Sequence, residues 1–250
     1  MPTSIKEIKR AGFDGIECHL IGGLRSSKRV AQVRQEAGDL GLDVRFHLGW
    51  SWETGQRNLY NIVARPLGVL VPVGMSLSEQ VRDVGTDSVV VYGNQYNEPV
   101  RDNYVYQTAS LFVDGKMYAG FYTNFLNAAQ ANRLPVVFDT QHVLEWLQDQ
   151  WSVAGLSSDW STLGKMLYEQ WNNLCPLVKE IHVCDFDPRL GPTRGRNLFP
   201  GDGVLPLDQF FASVRSSGWD GILTPEVAPQ HLRGKDRLRM LRDKMDRFLA

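Results

Sequence analysis

Short apolar runs that end in polar residues recur along the chain, at residues 13–19, 44–47, 88–92, 104–107, 136–139, 180–185 and 222–226. They are rich in Val, Ile, Phe and Tyr and too short for helices, so each reads as a strand with a polar tip. Stretches of helical period fall between several of them. Residues 4–10 begin with Ser4 and carry Glu7 three places on, the spacing of a capping box, and Ser76 and Glu79 repeat it over 76–84. Residues 207–216 gather Phe210, Phe211 and Val214 on one side. Residues 236–248 set Leu238, Leu241, Met245 and Phe248 at helical spacing, leaving Arg237, Arg239, Arg242 and Lys244 for a solvated face.

One phrase occurs twice: Gly12-Phe13-Asp14-Gly15-Ile16 near the start and Gly218-Trp219-Asp220-Gly221-Ile222 near the end. A duplicated helix-to-strand turn, with strands and helices alternating, predicts an α/β fold with a parallel sheet. A chain of 250 residues suits one TIM-like (β/α)8 barrel spanning 1–250. Seven strands are legible, and the usual first strand is absent. Either the barrel is open at one seam or residues 68–73, between Pro66 and Pro72, fill it as an edge strand. The Trp-rich stretch at about 144–171 is expected to be a helical insertion serving as a lid or a subunit contact, which keeps homo-oligomerisation open.

Composition narrows the classes. With 43% hydrophobic and 22% charged residues and a formal charge of −1, disordered and collagen-like chains are excluded. No surplus of Lys and Arg exists for neutralising a nucleic-acid backbone. No apolar run is long enough for a membrane span. Three cysteines, an odd number, and an opening without a signal segment lead to the expectation of a reducing, cytoplasmic setting.

In a parallel barrel the strand C-termini open on one face, so tip residues converge whatever their separation in sequence. The tips supply Glu17, His19, His47, Gln107, Asp139, His142, His182, Asp185 and Glu226. Asp139, His182 and Glu226 offer two carboxylates and an imidazole, an oxygen-rich set suited to Mn²⁺, Mg²⁺ or Co²⁺, with Zn²⁺ also accommodated.

The segments Phe138-Asp139-Thr140-Gln141-His142, Ile181-His182-Val183-Cys184-Asp185, Gly201-Asp202-Gly203 and Thr224-Pro225-Glu226 resemble the xylose-isomerase-like superfamily of sugar isomerases and epimerases, with its AP-endonuclease relatives, over about residues 4–228. The resemblance implies a divalent metal held by Asp139, His182 and Glu226. It also implies that Glu226 moves a proton, that His142 holds a substrate oxygen, and that Arg189 binds another oxygen or a phosphate. The substrate it implies is a small polyhydroxy carbonyl compound.

The family's fourth ligand is a glutamate, and Gln107, 32 residues before Asp139, is aligned with it. An amide oxygen can coordinate a cation but adds no charge and shuttles no proton. A single base, Glu226, serves isomerisation or dehydration more readily than two-base epimerisation. Glu98, in Asn97-Glu98-Pro99, is the alternative carboxylate, and the same tripeptide suits a glycosidase acid with Glu226 opposite.

Other readings stay open for single residues. His47 and Trp50 either contact substrate or serve packing. Asp185 either binds near substrate or caps the next loop. Arg189, Arg194 and Arg196 form an anion clamp or a solvated loop. Cys18, Cys175 and Cys184 are expected as small core residues, Cys18 and Cys184 on strands. A barrel that has lost catalysis and keeps a ligand-binding or scaffolding role is the competing function. A nuclease of the AP-endonuclease type needs more than the five histidines present.

Overall fold

The computed structural model describes residues 4–20, 27–48, 89–92, 104–108, 112–113, 116–117, 119–145, 160–190, 194–234 and 236–250. The strands are β1 (Gly15–Leu20), β2 (Asp43–Leu48), β3 (Val89–Tyr92), β4 (Tyr104–Gln107), the short pair β5 (Phe112–Val113) and β6 (Lys116–Met117), then β7 (Val136–Asp139), β8 (Val178–Val183) and β9 (Ile222–Pro225). The helices are α1 (Ile5–Arg10), α2 (Ser27–Asp39), α3 (Ala119–Asn132), α4 (Trp160–Leu174), α5 (Leu207–Ser216) and α6 (Arg237–Leu249). All seven runs read from the sequence are strands of one parallel sheet, ordered β1-β2-β3-β4-β7-β8-β9, and β5 and β6 make a separate antiparallel hairpin.

The sheet rolls, because side chains from strands far apart in that order meet inside it. Arg45 on β2 bonds Glu180 on β8, and Glu17 on β1 reaches His182 on β8 at 3.2 Å. Yet β1 and β9 are not paired with each other among the described residues. Exposure follows from that opening: β7 is buried throughout and β8 except at Lys179, whereas Gly15 to Cys18 and the whole of β9 are partly or fully exposed. Pro225 pairs in register with Val183 while the next amide, Glu226 N, donates to Val183 O at 2.9 Å, so the proline nitrogen faces the open edge and no ladder bond is lost. Residues 68–73, the alternative filler of the seam, and the expected helix at 76–84 lie outside the described residues.

Packing against the sheet is aromatic. Phe138 of β7 stacks on Phe210 of α5 with centroids 5.4 Å apart, Trp171 of α4 meets both edge-on, and Phe211 stacks on Phe248 of α6 at 4.2 Å. Trp171 is fully buried. That corrects the expectation for the Trp-rich stretch: its C-terminal part, α4, is the crossover helix between β7 and β8, because Leu167, Trp171 and Leu174 turn one apolar face to the core. Trp146 and Trp151 lie outside the described residues. Among the described residues no helix is long and apolar enough to cross a membrane. Cys18 lies on β1, where burial and then the Glu17 charge push its thiol up to about 11. Cys184 is buried one residue beyond β8, so its place on a strand is corrected by that one residue.

The duplicated phrase has a physical reason. Gly12 and Gly218 hold φ of 91° and 69° just after α1 and α5, the left-handed turn that ends a helix. Gly15 and Gly221 enter β1 and β9 where a Cβ would sit 3.0 Å from Asp43 O and 2.5 Å from Lys179 O, respectively. Each strand therefore approaches its neighbour more closely than a side chain permits. Gly221→Ala is expected to destabilise the protein by about 1–3 kcal/mol through overpacking, and by more than Gly15→Ala. Urea denaturation of the two variants measures the ranking, and equal or negligible losses would contradict the packing argument.

Candidate functional site

His182, at the end of β8, is fully buried among carboxylates on both sides of its ring. Its Nδ1 lies 3.1 Å from Glu226 Oε2 and 3.9 Å from Asp139 Oδ2. Its Nε2 lies 3.2 Å from Glu17 Oε2 and 3.6 Å from Glu180 Oε1. Burial alone would lower the His182 pKa, but Glu17, then Glu180 and Glu226, outweigh it and raise the pKa well above the ordinary value. Asp139 is shifted up as well, by burial first. The pocket is built to stabilise positive charge.

Donor geometry divides the two sides. Ligand atoms of Asp139, His182 and Glu226 lie within 4.8 Å of one another, close enough to share one ion. Two carboxylates and an imidazole neutralise and coordinate a divalent cation, so these residues fit the metal expected of them. Glu17, on the far nitrogen, orients the ring as carboxylates do behind metal-bound histidines. Glu17, His47 and His182 also lie within 4.8 Å of one another, although Glu17 is engaged with His182 Nε2. Asp139 is fixed by its surroundings: Oδ1 accepts the amides of Gln141 and His142 at 2.9 Å each, and Asp139 N donates to Thr108 Oγ1 at 2.9 Å.

Gln107 lies at the end of β4, buried between these groups. Its Nε2 donates to Asp139 Oδ2 at 2.8 Å and stands 3.2 Å from His182 Nδ1. Its Oε1 accepts from His47 Nε2 at 2.7 Å. His47 is itself fully buried. His142 places Nδ1 3.0 Å from Glu145 Oε2 and Nε2 3.9 Å from Asp139 Oδ2. Burial opposes its charge, but Asp139 and Glu145 push its pKa up to about 9. Glu145 accepts Gln141 Nε2 at 2.9 Å and pairs with Arg196 at 2.7 Å.

Two residues expected at the substrate are otherwise engaged. Asp185 spends its carboxylate on the amides of Phe186, Leu205 and Gly201 at 2.8, 3.0 and 2.8 Å, so it caps the loop that leads to α5. Arg189 is bonded through Nε and Nη2 to Asp187 at 2.8 and 2.7 Å, with a side chain 67% exposed. Of the three loop arginines, it is Arg196 that joins the cluster. Trp50 and Glu98 lie outside the described residues, as does the His19 side chain.

From the sequence Glu17 was one strand-tip residue among nine, and Glu145 and Glu180 were passed over. Glu180 shares the parity of His182 on one strand and so points to the same side, and Glu145 is one helical turn after His142.

Residues 122–244 match the model of the family described as Xylose isomerase-like TIM barrel. Among solved structures, a D-tagatose 3-epimerase-like protein is 13% identical, with a TM-score of 0.50, over 98% of this chain and 91% of that one. The 3-keto-D-glucoside 4-epimerase YcjR from E. coli is 15% identical with a TM-score of 0.43, over 98% and 93%. A sugar phosphate isomerase/epimerase from Parabacteroides distasonis is 14% identical with a TM-score of 0.37, over 98% and 75%. The first of these likenesses shows the fold. No curated protein matches the chain.

With its folded pKa raised to about 9, His142 contributes stability that is full below its unfolded value near 6.5 and is lost as pH rises through about 9. In the metal-free protein the unfolding free energy is expected to fall over that window, and His142→Gln to lessen the fall, the remainder belonging to His182 with its own raised pKa. Urea titrations at pH 6, 7.5 and 9 measure it. A fall of the same size in the variant assigns it to another group.

Proposed function

We propose that this xylose isomerase-like barrel is a divalent-metal-dependent isomerase or dehydratase, of the sugar isomerase/epimerase kind, that removes a proton next to the carbonyl of a small sugar-like substrate. The observation that carries the reading is the Asp139–His182–Glu226 cluster at the strand ends, in which Glu226 alone is open, with 24% of its side chain exposed. When bound, a divalent ion there supplies Lewis acidity to a carbonyl and an adjacent hydroxyl.

The chain's own groups do the rest. Glu226, at the rim, is the base that takes the proton from the carbon and returns it to the neighbouring carbon, or to a departing hydroxyl. Asp139 and His182, buried and fixed by their partners, hold their positions while charge develops beside them. His142 gives its Nδ1–H to Glu145 and turns its Nε2 edge toward Asp139, 3.9 Å away; at neutral pH the ring is cationic, so beside the site it favours an oxygen that gains negative charge. Gln107 is a neutral amide and takes no proton, so the chemistry is one-sided, and isomerisation or loss of water is favoured over inversion of a carbon.

The competing reading, a barrel that binds its ligand without turning it over, draws on the same amide, because it is the one departure from the family's carboxylate set. The two readings separate in D₂O. Incubated with Mn²⁺ and a panel of ketoses and inosose-like cyclic ketones, the protein is expected to wash deuterium into the carbon next to the carbonyl, read by proton NMR. Glu226→Gln should cut that rate by about 10²–10⁴-fold. Saturable binding without exchange, in wild type and variant alike, supports the non-catalytic barrel.

A further inference from the structure

We propose that Gln107 is not a ligand of the metal but a hydrogen-bond donor that His47 locks in place, so that among the described residues the ion is held by three donors, Asp139, His182 and Glu226. The inference deepens the metal reading above and rests on it for the identity of the ion.

Its ground is the amide's surroundings. Gln107 is buried, and both ends of its side-chain amide are engaged. One end lies 2.8 Å from Asp139 Oδ2, an oxygen that as a carboxylate only accepts, so the amide nitrogen faces it. The other end, Oε1, lies 2.7 Å from His47 Nε2 and needs a proton on that nitrogen. To offer Oε1 to an ion beside Asp139 and His182, the amide would have to turn over. That would take a donor from Asp139 and set an NH₂ group against His47 Nε2–H, two donors face to face in a buried place. The turn is open only if His47 moves its proton to Nδ1. Two adjacent buried side chains therefore agree on one orientation, with oxygen toward His47 and nitrogen toward the metal ligands.

Two consequences follow. Among the described residues the ligand charge facing the ion comes from Asp139 and Glu226, and a glutamate at 107 would add a further carboxylate, so the wild-type centre binds a divalent ion more weakly than a chain with that glutamate. His47, left by the sequence between a substrate contact and a packing role, is the positioning residue that fixes the amide.

Two measurements test this. Mn²⁺ dissociation constants by electron paramagnetic resonance are compared between wild type and Gln107→Glu, with circular dichroism to verify folding. The His47 tautomer is read in ¹⁵N-histidine-labelled wild type, with and without saturating Zn²⁺, and assigned with His47→Gln. The expected result is Mn²⁺ binding at least about tenfold tighter in Gln107→Glu and a His47 that keeps its proton on Nε2 when metal is added. Equal or weaker binding in a folded Gln107→Glu, or a bare His47 Nε2 in the metal-loaded protein, overturns the proposal. Should Gln107→Glu not fold, the tautomer decides alone. Mn²⁺ uptake by Gln107→Glu but not by wild type supports the role of Gln107 while sinking the metal-dependent reading of the wild-type protein; uptake by neither overturns both.

Discussion

The open end of this barrel is organised around one imidazole. His182 is buried with a carboxylate against each ring nitrogen, Glu226 on Nδ1 and Glu17 on Nε2, and with Asp139 and Glu180 just behind them. Buried charges are costly unless they are paired and hydrogen-bonded, and leaving one partner out costs about 3–5 kcal/mol. The four carboxylates come from β1, β7, β8 and the residue that follows β9, so the cluster can be satisfied only if the sheet rolls far enough to bring β1 against β8. The Arg45–Glu180–Thr224 bonds make the same demand one layer deeper. Charge pairing across the interior thus ties β1 and β2 to β8, where no ladder joins β1 to β9 among the described residues.

The rest of the fold holds that cluster at a fixed depth. Asp139 is tied to Thr108 and to the first turn of the helical residues 140–145, while Thr140 donates to Cys184 O at 2.8 Å, knitting the ends of β4, β7 and β8 into one layer. Asp185 gathers three amides of the loop that follows β8, and Asn197 from that loop donates to Glu226 O at 3.2 Å. Glu226 is therefore held by its backbone while its side chain stays at the rim. A base that must be both accessible and positioned needs this combination.

Much of this was legible in the residues, for reasons that can be named. Short continuous apolar runs located all seven strands, because a parallel strand buried on both faces has to be apolar along its length. Asp139, His182 and Glu226 were legible because strand tips converge in any parallel barrel. Asp185 was not decided, since a carboxylate at a tip looks the same whether it faces a substrate or a turn of three amides. Arg189 was left between a clamp and a solvated loop for a similar reason: its partner, Asp187, is two residues away, and a local pair leaves no periodic trace. Glu145 and Glu180 were passed over because each acts through another side chain. The orientation of Gln107 depends on His47, 60 residues distant, and only the folded chain brings them together.

The central claim is that Asp139, His182 and Glu226 hold a divalent ion. Elemental analysis by mass spectrometry of the purified protein, beside an Asp139→Ala/His182→Ala double variant, tests it most directly. The account predicts about one equivalent of Mn, Mg, Co or Zn in the wild type after incubation with the ion, and none in a folded variant. A wild type that stays empty in excess ion, or a variant that keeps its metal, contradicts it.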